Sequence, residues 1–377
     1  MPDAPAPVPV TIVTGFLGAG KSTLLNYILT ERHGLRIAVI ENEFSEDIGI
    51  ESLILKNGLG GKGSEDFFEL SNGCLCCTMR SDLVATLDRL MAQRHRFDYV
   101  LIETSGLADP GPVASAFWTD SGGSLALDGI VCVADGARIA AQAREARAQG
   151  AINEAAQQLA YADIVLLNKD DTLTPQAREA ARAAIAAINP TARVLGSTRC
   201  RVDLAALLHQ GAFSAARLGA LALAQEAAAE PHAAAPGCCA ASGGEGGAAG
   251  CHAAHAPAPH VHDSGIGTVV LRCAAALDRE AFRRWVAALL WGQEGSSAPQ
   301  RVLRGKGVLA LGAASPRKFI FQSVEEYFDL EEAQAGSEGA EWGSGEARES
   351  RVLLIGWALD RGALQRGLEA CRLAAEA

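Results

Sequence analysis

Nine consecutive residues, Gly15-Phe16-Leu17-Gly18-Ala19-Gly20-Lys21-Ser22-Thr23, carry the densest chemistry in this chain of 377 residues. The spacing G-x-x-x-x-G-K-[ST] is that of a loop whose backbone N–H groups turn inward around phosphate oxygens. Lys21 reaches the β- and γ-phosphates, and the Ser22 hydroxyl is a ligand for Mg²⁺. An apolar run, Val10 to Val13, precedes the loop, and Leu24 to Leu29 follows with helical spacing. Strand, glycine-rich turn and helix N-terminus stand in the order that phosphate binding needs. The implied ligand is a nucleotide.

Three more stretches bear on which nucleotide. A strand read at Tyr99 to Ile102 ends in Glu103-Thr104-Ser105-Gly106. An acidic residue at a strand end, followed by a flexible glycine, suits contacts to Mg²⁺ and the γ-phosphate, although a plain strand-end turn has the same look. Asn168-Lys169-Asp170-Asp171 follows the apolar run Ile164 to Leu167. Its N-K-x-D spacing puts Asn168 and Asp171 within reach of a purine edge. A carboxylate accepting from N1–H and the exocyclic amine selects guanine, because adenine would leave it unpaired. Glu41-Asn42-Glu43-Phe44 leaves the strand Arg36 to Ile40 as a mobile loop near the γ-phosphate. GTP is the expected substrate, with Mg²⁺ as its cofactor and Lys21 and Glu103 as catalytic residues. No side chain stands out as a general base or an arginine finger, so slow intrinsic turnover is expected.

Cys74, Cys76 and Cys77 lie in Gly73-Cys74-Leu75-Cys76-Cys77, ahead of a helix read at Ser81 to Ala92. Thiolates so closely spaced suit Zn²⁺ or Cu(I), and the bland alternative is three small apolar side chains packed beside the loop. C-x-C-C is tighter than structural zinc spacing, which implies a labile site completed from elsewhere; Glu43 or a neighbour offers oxygen. His232, Cys238, Cys239, Cys251, His252, His255, His260 and His262 form a second, diffuse cluster. It reads either as a weak metal-gathering arm or as a solvated insert.

The elements that must position these groups follow from the pattern. Continuous apolar runs at Arg36 to Ile40, Tyr99 to Ile102, Gly129 to Val133 and Ile164 to Leu167 alternate with helical stretches such as Pro175 to Ile188. Such runs are strands buried on both faces, so residues 10–225 are expected to form an α/β domain with a mostly parallel sheet. Residues 1–9 read as a flexible tail, and 226–264, rich in Ala, Gly, Pro and His, as a disordered linker. Residues 265–377 form a smaller α+β domain, with strands at Ile266 to Arg272, Val302 to Leu311, Lys318 to Tyr327 and Arg351 to Trp357. Its helices are read at Arg279 to Trp291 and Gly362 to Ala375, with a loop at Gly336 to Glu349.

A net charge of −11 argues against nucleic-acid partners and polybasic membrane contact. No apolar run reaches the ~18 residues of a membrane span. Met1 to Pro9 has no secretory signal, so a cytoplasmic setting is expected, where ten cysteines serve as thiols or metal ligands.

Taken in order, the phosphate loop, E-N-E-F, G-C-L-C-C, E-T-S-G-L-A-D-P and N-K-D-D resemble the CobW-type metallochaperone GTPases. Gly106 to Ala114, Phe117-Trp118, Arg201 to Leu204, Leu289 to Trp291, Val324 to Leu330 and Val352 to Gly356 are most similar to the eukaryotic zinc-regulated GTPase metalloprotein activators. The resemblance implies a P-loop GTPase domain and a CobW C-terminal module. Gly18, Ala19, Gly20, Lys21, Ser22 and Thr23 would bind phosphate, and Ser22 and Glu103 would serve Mg²⁺. Asn168, Lys169 and Asp171 would read guanine, and Cys74, Cys76 and Cys77 would hold Zn²⁺ for delivery to a client metalloenzyme. The eukaryotic activators resemble one another in a Cys-Pro-containing N-terminal tail that docks on type 1 methionine aminopeptidase; Met1 to Pro9 contains no cysteine. The client and the oligomeric state stay open. A regulatory GTPase with a metal-sensing site, or an insertion factor for a cobalt or nickel enzyme, are the alternative readings.

Overall fold

β-Branched residues dominate β1 (Val8–Thr14), and all but one of its seven positions are buried. That burial requires neighbours on both edges and cover on both faces. The computed structural model describes residues 7–41, 50–57, 66–71, 83, 87–119, 124–145, 152–213, 265–292, 300–312, 315–333 and 339–373. In it β1 lies between β5 (Tyr99–Glu103) and β6 (Leu125–Asp135), parallel to both. The full order is β4-β3-β2-β5-β1-β6-β7-β8, in which β2 (Arg36–Glu41), β7 (Ile164–Asn168) and β8 (Arg193–Gly196) complete a six-stranded parallel core. β3 (Ile50–Asn57) and β4 (Asp66–Ser71) extend one edge as an antiparallel hairpin, absent from the sequence reading.

The helices are α1 (Lys21–Thr30), α2 (Gly111–Thr119), α3 (Ile139–Gln142), α4 (Glu154–Tyr161) and α5 (Pro175–Ile188). Side-chain caps fix two of them: Asn153 accepts from the Ala156 N–H, and Thr174, ahead of Pro175, accepts from that of Ala177. Strand order reverses beside β1, so a crevice opens at the C-terminal strand ends, where the phosphate loop sits.

The second unit is an antiparallel sheet ordered β12-β11-β10-β13-β9, from β9 (Ile266–Cys273), β10 (Arg301–Leu309), β11 (Phe319–Val324), β12 (Tyr327–Glu332) and β13 (Ser350–Trp357). Helices α6 (Arg279–Trp291) and α7 (Arg361–Glu369) cover it, and Phe282 meets Phe321 edge to face. Two expectations need correction. Lys318 to Tyr327 is not one strand: the chain reverses at Glu325, which holds φ +52 without being glycine. The last helix stops at Glu369 because Arg372 is drawn into a β-bridge with Leu277. The strand expected from Val10 starts at Val8, whose N–H donates to the Ser124 carbonyl. Of the helix read at Ser81 to Ala92, residues 83 and 87–91 are described and helical, and residues 226–264 lie outside the described residues.

The two units share one apolar cluster. Leu159, Ile185 and Ile188 of α4 and α5 belong with Ile266, Leu303, Val324, Leu353 and Ile355 of the second sheet. Within this contact the side chain of Asp163, between α4 and β7, is 5% exposed and accepts from Arg304 and, at 2.7 Å, from Lys306. Its other oxygen accepts from the Ile130 N–H at 3.0 Å, and both cations lie over the Phe213 ring. Burial pushes the Asp163 carboxyl up, but Arg304, Lys306 and the Ile130 amide overcome it and hold it below the ordinary carboxylate range. Asp163→Ala strands two buried cations and is expected to destabilise the fold by roughly 3–5 kcal/mol in urea unfolding. In the native protein the stabilisation is present at neutral pH and is lost as pH falls below the ordinary carboxylate range, a dependence the variant should lack.

Candidate functional site

The phosphate loop takes backbone conformations that glycine alone adopts without strain. Gly15 has φ +140 and Gly20 φ +118. Space is equally restrictive: a Cβ on Gly15 would stand 2.2 Å from the Val133 carbonyl oxygen, and one on Gly20 2.5 Å from Asn168 Nδ2. α1 starts at Lys21 with no side-chain cap and no acidic residue in its first turn, so its leading N–H groups and its dipole face the loop's interior. Lys21 is 9% exposed and donates to the Gly15 carbonyl at 2.8 Å. Burial lowers its ammonium pKa, and the Glu103 carboxylate works in the opposite direction. The loop thus sets a buried ammonium beside the uncapped amides that open α1.

β7 delivers Asn168 and Lys169, two of the residues expected to read guanine. Asn168 is buried, and its Nδ2 donates to the Ala19 carbonyl at 2.9 Å. Its Oδ1 accepts from the Cys200 N–H at 2.9 Å and the Ser197 hydroxyl at 3.3 Å. Lys169, at φ +62, lays its Nζ across the loop to the Gly18 carbonyl (3.0 Å) and Asp135 Oδ2 (2.7 Å). Asp171 stands exposed in the single turn Asp170–Thr172, which Arg178 ties down through Asp170 at 2.7 Å. Sequence reasoning missed Asp135, Ser197 and Cys200. Arg199 and Cys200 hold φ +51 and +58, so the segment after β8 curls back to the loop with no glycine to announce it.

Glu103 ends β5, in register with Val13 of β1 and with Glu41 of β2. The Thr104 N–H donates to the Val13 carbonyl at 2.9 Å, and its hydroxyl to that of Thr14 at 3.0 Å, fixing the strand end. Ser22, exposed at the start of α1, and Glu103 are hard oxygen donors on adjacent elements, a set suited to Mg²⁺. Gly106 is buried, and Leu17 lies against it so closely that a Cβ would stand 2.5 Å from Leu17 Cδ2. The structure therefore brings together Gly15, Gly18, Ala19, Gly20, Lys21, Ser22 and Thr23 with Glu103, Gly106, Asn168 and Lys169. Cys74, Cys76, Cys77 and Glu43 lie outside the described residues, as does the side chain of Glu41. Among the described residues, no group of three or more His, Cys, Asp and Glu side chains could hold a metal ion.

Residues 9–196 match the CobW/HypB/UreG nucleotide-binding domain, and residues 266–372 match the cobalamin synthesis protein CobW C-terminal domain. The zinc-regulated GTPase metalloprotein activator 1 of Schizosaccharomyces pombe is 32% identical over 332 residues, 86% of this chain and 77% of that protein. The zinc chaperone CobW of Pseudomonas aeruginosa is 40% identical over 225 residues, 54% of this chain and 60% of its relative. The crystal structure of Zn(II)-bound YjiA GTPase from E. coli superposes with a TM-score of 0.65 at 26% identity, covering 97% of this chain and 99% of the other. Sequence and fold agree along both units: the chain is a GTPase and belongs to the CobW-type metallochaperone family.

Proposed function

We propose that this GTPase carries Zn²⁺ as cargo on Cys74, Cys76 and Cys77, with oxygen from Glu43 or Glu41, and passes it to a client metalloenzyme in the cytoplasm. The observation that carries the reading is the guanine-nucleotide cradle, already braced by Asn168 and Lys169, on a chain whose C-x-C-C run falls between β4 and β5. Relatives named as a zinc chaperone and a zinc-regulated activator support zinc as the metal. A Zn(II)-bound YjiA GTPase from E. coli, similar over 97% of this chain, adds a structural neighbour that holds the same metal. Residues 1–7 are proposed as a tail and 226–264 as the linker between the two units.

In this reading the loop amides and Lys21 take the charge that grows on the phosphates, and Ser22 and Glu103 hold Mg²⁺. When bound there, Mg²⁺ would supply charge neutralisation at the phosphate oxygens. Water attacks the γ-phosphorus in line, the bond to the β-phosphate oxygen breaks, and GDP and phosphate leave. Asn168 fixes the loop, Lys169 packs over it, and Asp171 accepts from the guanine edge.

Three outcomes test this. Gly20→Ala keeps the far-ultraviolet circular dichroism of the parent but loses fluorescent GDP binding, since its Cβ would collide with Asn168. Asp171→Asn replaces an acceptor with an amide and is expected to weaken GTP by about 10- to 100-fold while improving xanthosine triphosphate. Zinc affinity, read by competition with a chromophoric chelator, is expected to differ between a non-hydrolysable GTP analogue and GDP, and to fall in Cys76→Ala. Zinc binding that ignores both nucleotide and variant would remove the cargo role.

A further inference from the structure

The loop that leaves Glu103 is held by one short helix. From α4, Gln158 Nε2 donates to the carbonyls of Gly106 (3.1 Å) and Ala108 (3.2 Å), and Gln157 Nε2 donates to Asp109 Oδ2 (2.5 Å). The other Asp109 oxygen accepts from the Gly111 N–H at 2.8 Å, which joins the loop to the start of α2. Both glutamines are buried. α4 ends at Tyr161, also buried, whose hydroxyl donates to Glu325 Oε1 at the β11–β12 reversal of the second unit. Arg301 donates to Glu325 Oε2 at 2.6 Å.

These contacts leave no slack. A Cβ on Gly111 would stand 2.6 Å from the Tyr161 hydroxyl oxygen and 2.7 Å from Glu325 Oε1. Any shift of Asp109 to Gly111 toward these groups must displace Glu325, and any shift of Glu325 toward the loop must press on Gly111. The turn carrying Glu325 also has an outward contact: Trp291, 61% exposed, donates its indole N–H to the Glu326 carbonyl at 2.8 Å.

We propose that the second unit sets the position of the Glu103–Pro110 loop, and with it the rate of GTP hydrolysis, through the Glu325–Tyr161 contact and the two α4 glutamines. Gln157, Gln158, Tyr161 and Glu325 are then positioning residues. This rests on reading Glu103 to Pro110 as the loop that meets the terminal phosphate. A partner that docks on the second unit and moves the β11–β12 reversal changes hydrolysis without touching the nucleotide.

The charge arrangement is consistent with that role. Asp109 is raised to about 6, first by burial and then by the Glu325 carboxylate; the Gly111 amide, Arg301 and Gln157 act against this, and Tyr161 is the remaining titratable neighbour. The folded state holds a proton that the unfolded chain releases between the ordinary carboxylate range and about pH 6. Stability from this group therefore falls as pH rises through that window.

The test uses the full chain and compares Glu325→Gln, Tyr161→Phe and, as a control at the same interface away from the loop, Lys306→Met. Steady-state GTP hydrolysis is followed from pH 5 to 8 (an interval of about three units around the Asp109 value), alongside thermal unfolding. For Glu325→Gln and Tyr161→Phe, kcat is expected to fall about fivefold, with KM within about twofold, the size of one lost buried hydrogen bond. In Glu325→Gln the acid limb of kcat moves to lower pH, because a charge that raises Asp109 is gone. Lys306→Met is expected to lower Tm and leave kcat and its pH profile unchanged. A Glu325→Gln enzyme with the parent's kcat and acid limb, or equal kcat losses in Lys306→Met and Glu325→Gln, would overturn the proposal. Retention of GTP turnover by Gly20→Ala would instead sink the underlying site reading.

Discussion

One carboxamide organises the nucleotide site. Asn168 spends its N–H on the Ala19 carbonyl, its oxygen on Ser197 and Cys200, and its backbone carbonyl on the Gly136 N–H. Loops from the ends of β1 and β8 therefore meet on its side chain, and the loop after β6 meets its backbone, so three loops converge on one residue at the end of β7. The constraint runs both ways: the loop can come this close only because Gly20 has no Cβ, and Asn168 is satisfied only because the loop presents a carbonyl. The loop and its brace therefore constrain one another within the folded chain.

The same short stretch of chain serves the second unit. Within Tyr161 to Lys169, Tyr161 meets Glu325, Asp163 meets Arg304 and Lys306, and Asn168 and Lys169 close on the phosphate loop. Between them β7 is buried at every position and paired on both edges, so it behaves as a stiff rod. Thr268 to the Ile188 carbonyl (2.7 Å) and Gln322 to the Phe213 carbonyl (2.6 Å) add neutral hydrogen bonds beside the buried charges. The two units form one mechanical body in which nucleotide face and second sheet are a few residues apart along the chain.

How much of this was legible depended on whether a feature is local. The glycine spacing, the apolar strands and N-K-x-D sit within single short runs whose backbone demands admit few residue types, and β1, β5, β6 and β7 followed from burial on both faces. The β3–β4 hairpin was missed because Glu51 to Asn57 mixes polar and apolar residues without clean alternation. The reversal at Glu325 and the curl at Arg199 and Cys200 use left-handed backbone at non-glycine residues, which composition does not mark. Asp135, Gln157 and Gln158 look like ordinary surface residues in the sequence; their burial follows from partners far away in the chain. The cation pair at Asp163 was invisible for the same reason.

That last distance governs how the molecule is made. Arg304 lies 141 residues beyond Asp163, and Lys306 lies 143 beyond it. At ~5–20 residues per second, roughly 7–30 seconds separate the emergence of the carboxylate from that of its counter-ions. During that time the nascent first unit has the Ile130 amide for this group but neither cation, so the carboxylate keeps its water or takes up a proton. β7, which begins at the next residue, can pair with β6 and β8 in the meantime, but the carboxylate at its entrance gains its counter-ions only when the second sheet arrives. The charge balance at Asp163 is therefore completed late in biogenesis, by residues that lie far along the chain from it.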